Sequence, residues 1–446
     1  MKGIFRFIIN PFTKPNKILS DPQQYSFFRK NLKAQFAKNK LGIYSLRLLY
    51  FLIGVALLAD ILSNEKPLAA GYKGGIYFPV FHEYAVDLGI SKWQPDFQNA
   101  DWKNLEYEWS VFPPVPYLPQ TMDDANVHSR SPFETQQVSS LRWRHWLGTD
   151  ELGRDVLAGM IHGTRIALTV GLVAMGIAVF LGILLGSLAG YFGDERMKIS
   201  RAGAVMYTVF FILGIFWGFI ARSYELSDAL AVSFGNFFLQ ILFSFLILLA
   251  SVGIGRLSAL PLKMLPFFRK KISFPADLFI SRMIEAWDSF PSLLIIISVS
   301  ALVIHPSIYI SMSIIGLTLW TGIARFTRAE MLRIRSLEYI EAAHALGYSE
   351  FRVILRHAIP NALSPVLIAA AFGIAAAILI ESVLSFLGVG VSAETVTWGS
   401  LLAAARQSPS AWWLAIVPGC AIFITVTIFN LLGEALTDAL DPKLKK

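Results

Sequence analysis

Three polar groups in this chain have residue types and spacings suited to function, and none of them is a catalytic set. The first is the water-facing stretch Glu341–Pro360 between two apolar runs, with Glu341-Ala342-Ala343, Leu346-Gly347, Phe351 and Pro360 in order. Small side chains at Ala342 and Ala343 let another protein surface come close. Glu341 offers a charge for a basic residue or a backbone amide, and Leu346, Phe351, Ile354 and Leu355 offer apolar anchors. The second is Glu381, an acid inside the apolar run Ala375–Ser385. Such a residue is costly in a membrane and faces a cavity or a partner. It could line the outer part of a pathway and attract an amino group, or make a polar contact between helices. The third is Asp150, Glu151, Arg154 and Asp155, whose mixed signs suit a salt-bridged gate, a contact for a soluble protein or a structural brace.

Enzymatic patterns are missing from the sequence. There is no Gly-x4-Gly-Lys-[Ser/Thr] phosphate loop, no His-Glu-x-x-His and no Gly-x-Ser-x-Gly elbow. The seven histidines have no zinc-ligand spacing, and His344 and His357 read as surface residues. Asp123-Asp124 reads as a solvated turn. We therefore expect a chain that binds no cofactor and is not an enzyme.

Long apolar elements must carry these groups. Of 446 residues 55% are hydrophobic and 16% charged, a membrane composition. Runs long enough to span fall at about 42–62, 165–192, 203–221, 229–254, 289–305, 307–325, 362–387 and 411–433. The break at His305-Pro306 ends one span and turns into the next. Residues 1–47 hold ten Lys/Arg and one acid, residues 63–160 thirteen acids and eight Lys/Arg, and residues 255–276 five basic residues and no acid. Cytoplasmic loops are enriched in Lys/Arg. The alternation therefore places both termini and the loops 194–201, 255–276 and 325–357 in the cytoplasm, with 63–160, 222–228 and 388–410 outside. It also explains the net charge of +8 without nucleic acid.

Local signals refine this outline. Phe28, Leu32 and Phe36 lie every four residues among lysines and an arginine, as on a basic helix lying on an anionic membrane surface, or in an ordinary juxtamembrane segment. The N-terminal apolar run is too short for a cleaved signal, so the first span is retained. Gly182, Gly186 and Gly190 share one helix face and allow close helix packing. Residues 338–346 are helical in pattern, with Gly347 as C-terminal cap, Ser349 as cap of a second short helix and Pro360 in the first turn of the next span. Cys420 is the single cysteine, so the outside loop has no intrachain disulfide. Its Trp, Tyr and Pro content, with an extended Val111–Pro119, suits a compact cap with some partner contact.

Leu147-Gly-Thr-Asp-Glu-Leu-Gly-Arg-Asp-Val-Leu157, Ala189-Gly-Tyr-Phe-Gly193, Phe290-Pro-Ser-Leu-Leu294, Ser385-Phe-Leu-Gly-Val-Gly390, Trp398-Gly399, Trp413 with Pro418-Gly419, Phe429–Glu434 and Asp438–Pro442 occur in the order seen in one family. Together with Glu341-Ala-Ala…Gly347, this set resembles the ABC-importer permeases of the dipeptide, oligopeptide and nickel family, C-type subunit. Asn64-Glu-Lys-Pro67 and Tyr77-Phe-Pro79 look like the branch serving peptide and microcin C type uptake. One departure stands out. Between Asp194 and Asp277 the family has a few residues, and this chain has about 80 with two apolar runs.

The resemblance implies an all-α polytopic membrane protein, a six-span permease core with an inserted helical hairpin, about eight spans in all. Its parts are a cytoplasmic basic segment 1–40, a first span 41–62, an extracytoplasmic loop region 63–160, a second span 161–193, the insertion with its basic cytoplasmic loop 194–276, and a core 277–446 containing a docking loop 325–361. It implies a bacterial inner-membrane subunit that imports peptides or peptide-like solutes and pairs with a second homologous permease. Such a subunit receives cargo from an extracytoplasmic binding protein, sits among membrane lipid, and docks ABC ATPase subunits that hold ATP and Mg. Glu341, Ala342, Ala343, Leu346, Gly347, Phe351 and Pro360 would form the dock, and Glu381, Asp150, Arg154 and Asp155 the pathway or gate. Alternatives are a nickel or other metal-chelate cargo in the same family and a secondary transporter without an ATPase.

Overall fold

A computed structural model describes residues 35–98, 100–232, 234–301, 306–390 and 395–440. The basic stripe with Phe28 and Leu32, His305, and the end of the Asp438–Pro442 match lie outside these residues. Among the described residues, seven helices are long and apolar enough to cross a membrane, or eight if one bent pair is a single span.

The chain enters through α1 (Lys40–Leu57). The region between the first and second spans follows, with β1 (Ala69–Tyr72), β2 (Gly75–Tyr77), α2 (Pro79–Asp87) and β3 (Trp109–Val111). Its strands form an antiparallel sheet in the order β2-β1-β3. The aromatic residues make its core: Phe97 stacks on Trp102 at 5.3 Å and touches Tyr72 and Tyr77. Val115 and Tyr117 then seat this cap on Ala158 at the start of the second span.

That span, α3 (Val156–Ser187), continues through a wider turn to Phe192. It starts nine residues before the expected 165, because Asp155 caps it by accepting from the Ala158 amide at 2.6 Å. After β4 (Lys198–Ser200) come α4 (Arg201–Ile215) and α5 (Phe234–Leu262), then β5 (Lys271–Ser273). The first two pack against each other, and β4 pairs with β5 in a two-stranded ribbon that closes the hairpin at its base. The second inserted helix ends eight residues beyond the expected 254.

The expected span at 289–305 is, in its described part, one arm of a bent pair. Here α6 (Ala276–Asp288) and α7 (Ser292–Ala301) meet at 74°. Pro291 lies at the break and cannot donate the hydrogen bond that would continue the helix. The remaining core helices are α8 (Ile308–Ile334), α9 (Glu338–Ala345), α10 (Glu350–Val353), α11 (Ile359–Phe386), α12 (Trp398–Gln407) and α13 (Trp412–Leu440). The span before the expected docking loop extends beyond 325 and the one after it begins before 362, so helix takes up much of that expected loop.

Packing centres on α3, α8 and α11, with α13 and α1 alongside. The glycine face of α3 makes the closest contact. A Cβ on Gly182 would stand 2.5 Å from the Ile323 Cβ, and one on Gly186 2.5 Å from the Ala324 carbonyl oxygen. The backbones of α3 and α8 therefore touch where the sequence is smallest.

Candidate functional site

At one end of the bundle the backbone leaves α8, forms α9, reverses, and re-enters through α10. Gly347 makes the reversal at φ 79°, in the left-handed region that a side chain disfavours. Ser349 starts the next helix, but its side chain makes no capping bond there, which corrects the expected cap. The pair is amphipathic in a way that separates two tasks. Ile340, Ala343, Val353, Ile354 and Ala358 are buried against Tyr191, Met331 and Ile334, so this face holds the element to the ends of α3 and α8. Glu341, Ala342 and Pro360 are exposed, with Leu346 at 65% and Phe351 at 72%. Two expected contact residues, Ala343 and Ile354, thus belong to the supporting face, because the helical period turns them inward.

Further polar contacts fix the support. The Tyr191 hydroxyl donates to Glu350 Oε2 at 2.8 Å and lies 3.0 Å from His344 Nε2. Arg335 donates to the Gly190 carbonyl at 3.3 Å. Asp277 and Asp288 on α6 pair with Arg328 and Arg325 on α8. His344 is thus half-buried under the element rather than free on the surface.

At the opposite end, Asp150, Arg154 and Asp155 build a folded mouth. Asp150 accepts from the Leu152 and Arg154 amides and pairs with the Arg154 guanidinium at 2.7 Å. Gly153 turns with φ 75°, and a Cβ there would stand 2.4 Å from the Asp123 carbonyl oxygen. Asp155 accepts from His145 Nδ1 at 2.7 Å, while His145 Nε2 faces Asp123 Oδ2 at 3.2 Å. His145 is fully buried and stacks on the Tyr117 ring at 4.4 Å. The arrangement is a brace: Asp150 and Asp155 are 2% exposed and spend their hydrogen bonds on the chain itself.

Asp123 corrects the expected solvated turn. Its side chain is 9% exposed, and the hydrogen bond with His145 holds its carboxyl down at about 2, against the opposing effect of burial. Burial works against a charged His145, but the bonds to Asp123 and Asp155 outweigh it and raise its pKa. Sequence reading missed His145 because neither carboxylate has a helical or metal-ligand spacing from it. No group of three or more His, Cys, Asp or Glu able to hold a metal occurs among the described residues.

Glu381 lies on α11 and is 1% exposed. Ser385 donates to it at 2.6 Å, and Thr397, the cap of α12, also bonds it. Here it ties α11 to the start of α12. The two helices touch at Gly399, whose Cβ would stand 2.4 Å from the Ser382 carbonyl oxygen. The tryptophans of the sequence pattern act similarly. Trp398 donates to the Met160 carbonyl and Trp413 to the Thr149 carbonyl, each at 3.1 Å, anchoring α12 and α13 to the head of α3. A polar stripe that the sequence reading did not single out runs along α13. Asn430, Glu434, Thr437 and Asp438 line an open groove of about 450 Å³ with Phe372.

This bundle has a polar helix–turn–helix between two spans, and known proteins resemble the chain in sequence. The family model described as "Binding-protein-dependent transport system inner membrane component" matches residues 251–446. The C-terminal part of the chain is thus similar to this permease family. The permease is 27% identical to the inner membrane ABC transporter permease protein YejE of Escherichia coli, over 92% of this chain and 95% of that protein. It is 27% identical to the peptidoglycan transport system permease protein YejE of Agrobacterium fabrum, over 92% and 91%. It is 28% identical to the dipeptide transport system permease protein DppC of Bacillus subtilis, over 68% and 70%. The permease is thus a multi-pass inner-membrane transport subunit, as the motifs implied.

Proposed function

We propose that this permease imports peptides or peptide-like solutes, and that α9, the Gly347 turn and α10 form the dock for a separate ABC ATPase. The carrying observation is the exposure of Leu346 and Phe351 on an element whose other face is buried. Covering a large apolar side chain yields about 1.5–3 kcal/mol, so the two together can anchor a soluble partner. Glu341, on the same exposed element, supplies a charge for that partner. A groove on the ATPase would receive the element, and closure around ATP and Mg bound by that partner would move it. Tyr191, Glu350 and Arg335 tie the element to α3 and α8, so the motion would reach the spans.

The positive-inside charge pattern supports a cytoplasmic dock and cytoplasmic termini. The pathway would form with a second homologous permease, and the polar stripe of α13 suits that shared face, because acids are costly against lipid. An extracytoplasmic binding protein would deliver cargo to the aromatic cap. Peptide cargo rests on the names of the dipeptide and peptidoglycan transport relatives, and the microcin C type branch on Asn64–Pro67 and Tyr77–Pro79. Co-purification with the ATPase tests the dock. Glu341→Lys and Phe351→Glu should reduce ATPase recovery at least tenfold while the permease still inserts. Full recovery with stimulated hydrolysis intact would remove the assignment.

A further inference from the structure

The inserted hairpin ends in a cluster of cations without acidic partners among the described residues. Arg196, Lys198 and Arg201 approach it on one strand, with Lys263, Arg269, Lys270 and Lys271 on the other. The β4–β5 ribbon brings them together: Lys198 pairs in register with Ser273 and Ser200 with Lys271, and the Arg201 amide donates to the Lys270 carbonyl. None of these side chains has an acidic partner among the described residues. Arg201 instead lies 4.4 Å over the Phe267 ring, and Arg196 5.7 Å over Tyr191. Residues 255–276 contain no acid at all.

Apolar groups stand beside the charges. Met264 is 86% exposed, and Leu265 and Phe267 are more than half exposed. Above them the hairpin is apolar on its outer surfaces, with Val209, Ile212, Phe216, Leu242, Leu246 and Leu249 uncovered. It packs on itself and makes no extensive helix contact with the core. Its polar levels are spaced like a bilayer. Arg222 donates to Ser244 and Gln240 near one end of α5, and Lys263 follows about twenty residues later, roughly 30 Å along a helix.

We infer that the base of this hairpin is a binding site for anionic phospholipid headgroups, with Lys263, Arg269, Lys270, Lys271, Lys198 and Arg201 around the phosphates and Met264, Leu265 and Phe267 among the acyl chains. Two features carry this. The cations need an anion that the described residues do not supply, and they sit at the depth where lipid phosphates lie. The exposed apolar residues beside them select an amphiphile over a free ion. The site is independent of the cargo and of ATPase docking.

Native mass spectrometry of the full-length permease in detergent, titrated with phosphatidylglycerol or phosphatidylcholine, tests the inference. The wild-type chain should retain phosphatidylglycerol at least tenfold better. Lys263→Gln/Arg269→Gln/Lys270→Gln/Lys271→Gln should lose that preference, and Arg222→Gln, at the other end of the hairpin, should keep it. If the fourfold variant does not fold, Lys270→Gln/Lys271→Gln should lower the preference by several-fold. Equal retention of the two lipids, or an unchanged preference in the base variants, overturns the site. Displacement of the lipid by millimolar inorganic phosphate would also overturn it, by showing a free-anion site.

Discussion

His145 is enclosed between two carboxylates, Asp123 and Asp155, under the Tyr117 ring and with Lys103 4.0 Å from Asp123. Its raised pKa means that the imidazolium stabilises the fold below the ordinary value of 6.5, and that this stability is lost as pH rises through the higher folded value. Asp123 acts at the other end. Its lowered pKa gives stability above 3.8, lost as pH falls toward about 2. The cap should therefore melt at progressively lower temperature as pH is raised from 6.5 to 9, and His145→Gln should flatten that slope. Tryptophan fluorescence melts in detergent measure both. Asp155→Ala removes a helix cap and one partner of a buried charge, so about 3 kcal/mol should be lost. Asp155 was visible in the sequence as a charged residue at a span mouth. Its partner was not, because Asp123, His145 and Asp155 meet only once the loop has folded.

Helix pairs set the next scale. Gly186 touches the α8 backbone, so Gly186→Val must push α3 and α8 apart. Overpacking of this kind costs about 1–3 kcal/mol, and the variant should show a lower melting temperature, whereas Gly176→Val, where nothing stands within 4 Å, should not. The glycine spacing made this contact legible beforehand. The 74° bend between α6 and α7 was not read, since a short apolar run looks the same whether it is straight or follows a break. The inserted hairpin was legible as two apolar runs, and its ribbon was not. Because Ser200 pairs with Lys271, replacing the segment between them with Asn-Gly should close the ribbon as a tight turn. The shortened permease should still insert and bind its ATPase, while losing phosphatidylglycerol retention.

For the whole molecule, Glu381 decides between a pathway and a joint. Its enclosure by Ser385 and Thr397 favours the joint. Glu381→Gln keeps the size and most hydrogen-bonding capacity, so uptake of cationic, neutral and anionic peptides should fall together, by less than about threefold. A selective loss of cationic peptides would restore a substrate role. The sequence alone pointed to the membrane class and to the resemblance to transport permeases, because hydropathy and motif order are local properties summed along the chain. Tertiary structure decided which polar residues are spent on the fold and which remain free to bind. Ala343 and Ile354 turn inward while Leu346 and Phe351 turn out, Asp150 and Asp155 become a brace, and Glu381 joins two helices. Each outcome depends on which surfaces long-range packing covers, and residue type carries no record of that.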